Sequence, residues 1–283
     1  MINYINCSIV RFEDVYNAFQ MGFSDYFLKM EMPIETFQAK FFGPEGNQLD
    51  KSYIAYDDVN PVGLILGGIR NYENIRTLRC GTLCVHPDYR DQGIAKELYK
   101  YHKQIALENN CKQMFLEVMV VNNKAINFYK KLGYEIIYNL NYYRYHQGNS
   151  IDFKLDSSIK VQEITFEDVK ALSVYLADIH INWQNSLDYI ELLDNLTYYG
   201  VYDGTKLVGA LCISLQGNIY IVWTKPSYRH KHIAASMIAT ATRKLNLSEL
   251  SISLTNNASL INFLLKHNFK KQELAQYEMY LPL

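Results

Sequence analysis

The chain repeats itself. Residues 85–95, VHPDYRDQGIA, recur as 224–234, TKPSYRHKHIA, with Pro-x-Tyr-Arg-x-x-x-Ile-Ala in common, and 122–134 align without a gap on 257–269. The offset between copies is 139 residues at the first pair (Arg90 to Arg229) and 135 at the second (Asn122 to Asn257), so the second copy lacks four residues between its motifs. A pattern repeated at this length means one fold built twice in tandem. At 283 residues the chain leaves each copy room for its own core. Hydrophobic periodicity lapses over the polar stretch 146–158, which divides the chain into 1–148 and 159–283.

Within the first copy, alternating runs at 52–56, 62–68 and 78–85 read as strands joined by turns at 57–60 and 71–74. From Gly93 the spacing of Ile94, Leu98, Tyr101 and Ile105 predicts a helix ending at Asn109-Asn110. A strand at 114–118 follows, then a short helix over 124–132 with Gly133 as its left-handed cap, then two strands at 134–138 and 142–146. The second copy keeps the order, with hairpin turns at 203–206 and 216–217. The fold class is α/β (α+β), each copy a mixed, mostly antiparallel sheet flanked by helices.

With 49% hydrophobic and 20% charged residues the chain buries a core and is not disordered. Lys+Arg 28 against Asp+Glu 29 leaves a formal charge of -1, which offers no field for nucleic acid or an anionic membrane, so neither is expected as a partner. No apolar run approaches the roughly 18 to 20 residues of a membrane-spanning helix, and the first residues lack the basic and apolar regions of a leader. A cytoplasmic protein is expected. Cys7, Cys80, Cys84, Cys111 and Cys212 are scattered without a CxxC pair, which argues for buried thiols, against a disulfide framework and against a metal site. The aromatic excess, 24 Tyr and 13 Phe, hints at a pocket lined by amphipathic rings.

The strand ending at Val85, the loop Arg90-Asp91-Gln92-Gly93 and a helix starting at once make an anion site. Backbone N–H groups of the loop and first turn point outward at the positive end of the helix dipole. A side chain at Gly93 would block close approach. Walker and dinucleotide glycine patterns are absent.

These residues resemble the GNAT superfamily of acyl-CoA-dependent N-acetyltransferases. Its motif V-x-P-x-x-[RQ]-x-x-G-[ILV]-[GA], followed by L-E-V-x-x-x-N-x-x-A-x-x-x-Y-x-x-x-G-[FY], is matched from Val85 to Tyr134, and this half looks most like the ribosomal-protein alanine N-acetyltransferases. The resemblance implies acetyl-CoA as acyl donor. It sets the pyrophosphate against Arg90, Asp91, Gln92, Gly93, Ile94, Ala95 and Lys96. It also sets the pantetheine arm against Leu83, Cys84 and Val85, with Asn122 reaching the same arm and a backbone N–H at the strand end holding the developing oxyanion. A primary amine is mostly charged near neutral pH and must lose a proton before it attacks. Glu117, directly or through a water, is the implied general base and Tyr129 the implied acid for the departing thiolate. Each has a plainer alternative: Glu117 as a hydrogen-bonded strand residue, Tyr129 as a core ring, Asn122 as a helix cap. Cys84 invites a covalent route, but no His or Asp pairs with it in the pattern, and a small buried residue is the simpler reading.

In the second copy His232 stands for Gly93, Ile252 for Glu117, Leu264 for Tyr129 and Asn268 for Gly133. That copy is expected to keep the fold and to have lost the chemistry. The overall expectation is an N-acetyltransferase working by direct attack in a ternary complex in its first domain. The acceptor is a small-molecule or peptide amine, and the second domain shapes the acceptor site or makes a homo-oligomer interface. A non-catalytic acyl-CoA-binding or sensing module, and transfer of a longer acyl group, are the alternatives. Phe19, Phe23, Tyr26 and Phe27, within helices expected over 16–41, serve either the core or the acceptor pocket.

Overall fold

The computed structural model describes residues 1–146, 153, 156 and 158–283. Most of the polar stretch expected across 146–158, and the boundary at 148, lie outside the described residues. The chain forms two units, Met1–Ile137 with Tyr277–Leu283, and Tyr138–Gln276. Residues 138–146 thus belong to the second unit and the last seven residues to the first, unlike the division read from the sequence. Burial explains the exchange. Met279 lies in the core of the first unit, and Tyr143 and Tyr145 lie in the core of the second.

The first unit runs β1 (Ile2–Asn6), α1 (Phe12–Gly22), α2 (Ile34–Phe41), β2 (Gln48–Asp57), β3 (Asn60–Tyr72), β4 (Ile75–Val85), α3 (Ile94–Glu108), β5 (Gln113–Met119) and α4 (Asn123–Lys131), and holds the first residues of β6 (Glu135–His146). Strands β1 to β4 are antiparallel neighbours, β5 joins β4 in parallel, and 277–282 lie beside β5. The β3–β4 turn places Glu73 and Asn74 both at positive φ, which matches the strand twist. One face of the sheet packs on α1 and α2 through Phe19, Phe37 and Leu64, the other on α3 and α4 through Leu78, Leu98 and Ile126. Helix α3 buries Ile94, Leu98, Tyr99, His102, Ile105 and Ala106, a stripe at helical spacing. Gly133 follows α4 at φ +96, the conformation its place in the sequence predicts. The two strands expected at 134–138 and 142–146 are one strand, β6, whose in–out phase switches at Leu140 and Asn141, both buried.

The second unit repeats the order with β7 (Val161–Glu163), α5 (Phe166–Lys170), α6 (Ser173–Leu176), α7 (Leu187–Ile190), β8 (Leu196–Asp203), β9 (Lys206–Ser214), β10 (Asn218–Thr224), α8 (Ile233–Lys244), β11 (Glu249–Leu254), α9 (Ala258–Lys266) and β12 (Lys270–Pro282). Residues 141–146 pair antiparallel with β11, β11 pairs in parallel with β10, and β9, β8 and β7 follow antiparallel. Both units are mixed α/β, a mostly antiparallel sheet flanked by helices. Among the described residues no helix is long and apolar enough to cross a membrane. All five cysteines are buried and free.

Candidate active site

The site begins where two parallel strands part. Pairing of β4 with β5 runs from Thr77↔Gln113 to Cys80↔Leu116, yet β4 continues to Val85. On its other side β4 stays in register with β3 except for a shift in which Leu66 faces Thr82 and Gly67 faces Cys80, leaving Gly81 as a one-residue bulge. A bulge bends its strand and raises the local twist, here at the end of the β5 ladder. Gly81 has no room for a side chain: a Cβ there would lie 2.1 Å from Asn47 Oδ1. Beyond the bulge, Leu83, Cys84 and Val85 pair with β3 along one edge and line a cleft.

After a single 3-10 turn the chain reaches Asp91 at φ +62 and Gly93 at φ +86, and α3 starts. Two left-handed residues so close turn successive N–H groups to one side. The first amides of the helix have no intrahelical acceptor. A Cβ built on Gly93 meets nothing within 4 Å, so the glycine faces open space. The helix can sit this close to the sheet because Gly63 lies beneath it, where a Cβ would come within 3.0 Å of Ile94.

The cleft has a volume of about 730 Å³. Its walls are 83–85, Arg90, Asp91, Gly93, Ile94, Ala95 and Lys96 on one side, and Asn122, Ala125, Phe128 and Tyr129 from the start and inner face of α4 on another. Gly22, Phe23, Asp25, Tyr26 and Phe27, which follow α1, complete it. Asn122 both lines the cleft and caps α4, its Oδ1 accepting from the Ala125 N–H at 3.1 Å. The N-terminal aromatics divide: Phe19 is fully buried in the core, whereas Phe23, Tyr26 and Phe27 line the cleft. Tyr129 is buried on the floor with its hydroxyl 3.9 Å from Cys80 Sγ. Burial, reinforced by Cys80, holds its phenol well above the usual tyrosine range. Burial pushes the Cys84 thiol up to about 12. It stays protonated at neutral pH and its Sγ points to the Ala18 carbonyl, as a packing residue would.

Two residues of the sequence-read set do not line the cleft. Gln92 donates to the Asp88 carbonyl at 3.1 Å. Glu117 is buried beside Arg79, whose Nη2 donates to Glu117 Oε2 at 2.7 Å and lies 2.9 Å from Glu45 Oε2. Glu117 thus sits in an ion pair with Arg79, away from the lining of the cleft. Arg90 lines the cleft, but its fork rests on Asp25. Asp25 and Gly22 escape sequence reasoning because their place depends on Arg90, 65 residues from Asp25, and neither carries a local pattern. Among the described residues no group of three or more His, Cys, Asp or Glu is placed to hold a metal.

The second unit keeps the frame. Pairing of β10 with β11 stops at Ile219↔Ile252, and the shift against β9 leaves Tyr220 as the bulge. His230 and His232 take the left-handed conformations of Asp91 and Gly93, at φ +64 and +56, and Asn268 that of Gly133 at φ +63. Asn257 caps α9 as Asn122 caps α4. A cleft of about 550 Å³ remains, but His232 lines it where Gly93 leaves space, and Leu264 is buried in the core where Tyr129 presents a hydroxyl.

Comparison with known proteins agrees with this architecture. The chain is 39% identical over 95 residues to a probable N-acetyltransferase, san, of Drosophila melanogaster, covering 33% of this chain and 50% of that one. It is 32% identical over 111 residues to N-alpha-acetyltransferase 30 of Saccharomyces cerevisiae, covering 37% and 61%. The chain therefore spans about half the length of these relatives. A tandem GNAT protein from the clavulanic acid biosynthesis pathway shares the fold over 100% of this chain and 98% of its own, with a TM-score of 0.70 at 11% identity. The model of the acetyltransferase (GNAT) family matches residues 12–134 and again 163–269, and the chain belongs to that family, with its fold present twice.

Proposed function

We propose that the first unit binds acetyl-CoA and transfers its acetyl group to a primary amine by direct attack in a ternary complex. The observation that carries this is the joining of three features in one cleft: a strand end freed from β5, a left-handed turn opening α3, and a buried tyrosine lining the same space. The open space at Gly93 suits a phosphate, and the unpaired edge of 83–85 suits the amides of a pantetheine arm.

In this reading the amides of Gly93, Ile94 and Ala95, with Lys96, hold the pyrophosphate, and Asn122 turns its amide toward the arm. The N–H at the strand end polarises the thioester carbonyl and stabilises negative charge as it develops there. The ammonium first gives a proton to water; the neutral amine attacks the thioester carbon and its nitrogen gives a second proton to water as the C–N bond forms and the C–S bond breaks, while Tyr129 gives the departing sulfur a proton and recovers one from solvent. Its raised pKa keeps Tyr129 in the donating form throughout the working range. Glu117 is assigned to the Arg79 ion pair rather than to a proton-transfer step. With Cys84 protonated and buried, an acetyl-enzyme on this thiol is disfavoured.

The test is release of the CoA thiol from acetyl-CoA against a panel of amines. Peptides with a free N-terminus come first, because the yeast relative is named for an α-amine. Lysine-like and small-molecule amines follow. Turnover on one arm is expected. Binding of acetyl-CoA with no turnover on any arm would leave a donor-binding module instead.

A further inference from the structure

The motif sets Arg90 beside the donor's phosphates, yet its guanidinium is committed elsewhere. Nε donates to the Val85 carbonyl at 3.1 Å and Nη2 to the Gly22 carbonyl at 3.2 Å, while Nη1 and Nη2 fork onto the two Asp25 oxygens at 2.6 and 2.7 Å. Gly22 ends α1, where carbonyls are left without intrahelical donors and a cation meets the negative end of the dipole. Asp25 is held below the usual carboxylate range by that hydrogen bond. A planar fork on a carboxylate is the geometry a guanidinium fits best, and moving it to a phosphate would release four bonds at once.

We infer that Arg90 and Asp25 form a positioning clamp that sets the 23–27 wall of the cleft against the strand end at Val85, and that Arg90 is not a ligand of the donor. Phe23 lies two residues before Asp25 and Tyr26 one after, so the clamp fixes the aromatic wall relative to the strand that carries the thioester. It ties acceptor placement to the donor strand across 65 residues of chain. The clamp itself is ligand-independent; its consequence for the acceptor rests on the acetyl-transfer reading.

The experiment compares the full chain with Asp25→Asn, Arg90→Gln and the double variant, by hydrogen exchange over 22–33 without ligand and by calorimetric titration with acetyl-CoA. Exchange should rise about tenfold or more in each single variant, as charged hydrogen bonds are lost, and no further in the double. Acetyl-CoA affinity should stay within about twofold in all three. On an α-amine peptide the acceptor KM should rise while kcat holds. Arg90→Lys, which keeps the charge without the fork, should fall between, and it serves if Arg90→Gln fails to fold. Unchanged exchange in Asp25→Asn overturns the clamp. So does an Arg90→Gln variant that loses acetyl-CoA while Asp25→Asn binds it more tightly, since the guanidinium would then serve the phosphates with Asp25 as competitor. A wild-type protein that binds no acetyl-CoA sinks the donor reading, and the exchange arm still decides the clamp.

Discussion

Three side chains of the first unit carry measurable consequences of their burial. Tyr129→Phe removes only the hydroxyl, so acetyl-CoA affinity should hold within about twofold while turnover falls by on the order of 10² to 10⁴. Wild-type turnover in that variant would show that solvent or another group protonates the thiolate. His102 is fully buried against β3, and burial lowers its imidazole to about 3 from the ordinary 6.5. The unfolded chain therefore binds the proton first. The stability that neutral His102 contributes is complete above about pH 6.5 and is lost as pH falls, by roughly 1.4 kcal/mol per unit down to about pH 3. Urea midpoints measured from pH 7 to 4 should show this slope, and His102→Leu should flatten it. Arg79 lies between the buried carboxylate of Glu117 and the partly buried one of Glu45. Arg79→Met should cost about 3 to 5 kcal/mol, because it leaves two carboxylates without the cation between them. Glu117→Gln should cost less, since Glu45 still faces the guanidinium. If Glu117→Gln keeps its melting temperature and loses all turnover, the carboxylate has a catalytic part after all.

At the scale of elements, the turn before α3 and its counterpart before α8 separate conformation from chemistry. Both turns are left-handed at the same two positions, so glycine is not what makes the turn. What Gly93 supplies is emptiness: its missing Cβ would point into the cleft, where nothing lies within 4 Å. Gly93→His should fold with a penalty of about 1 to 2 kcal/mol for the left-handed side chain and should abolish acetyl-CoA binding. His232→Gly should relieve comparable strain yet confer no binding, because the second cleft is smaller and has Ala235 where Lys96 lines the first. Calorimetry should give one acetyl-CoA per wild-type chain, and a value of two would refute the division of labour. The repeated bulge at Gly81 and Tyr220 belongs to this scale as well. The extra residue shifts the in–out phase of its strand by one: Leu78 and Cys80 face the α3–α4 core before Gly81, Leu83 and Val85 after it.

For the molecule as a whole, the ends of the two units decide how it can be cut. A fragment of residues 1–148 looks self-sufficient in sequence, but the first unit includes Tyr277–Leu283, with Met279 fully buried and Tyr280 packed 4.9 Å from the ring of Phe115. Ending the chain at Gln276 should expose that core, lower the melting temperature of the first unit and bring dye binding or precipitation. Met279→Ala, which keeps the backbone, should cost about 2 to 5 kcal/mol. A soluble 1–148 fragment with native acetyl-CoA affinity would show that the terminal strand is dispensable. By itself the sequence determined the duplication, most of the order of elements in each copy and the left-handed turns at Gly133 and Asn268, which follow from internal repetition, periodicity and short-range backbone preference acting over a few neighbours, while the site residues were implied by the resemblance of the motif. Only the tertiary structure decided that Glu117 is taken up by Arg79, that Arg90 rests on Asp25, that Phe19 and Phe23 part company, and that each unit takes its last strand where it does. Those outcomes hang on contacts between residues tens to hundreds of positions apart, where burial and charge pairing outweigh anything a local pattern encodes.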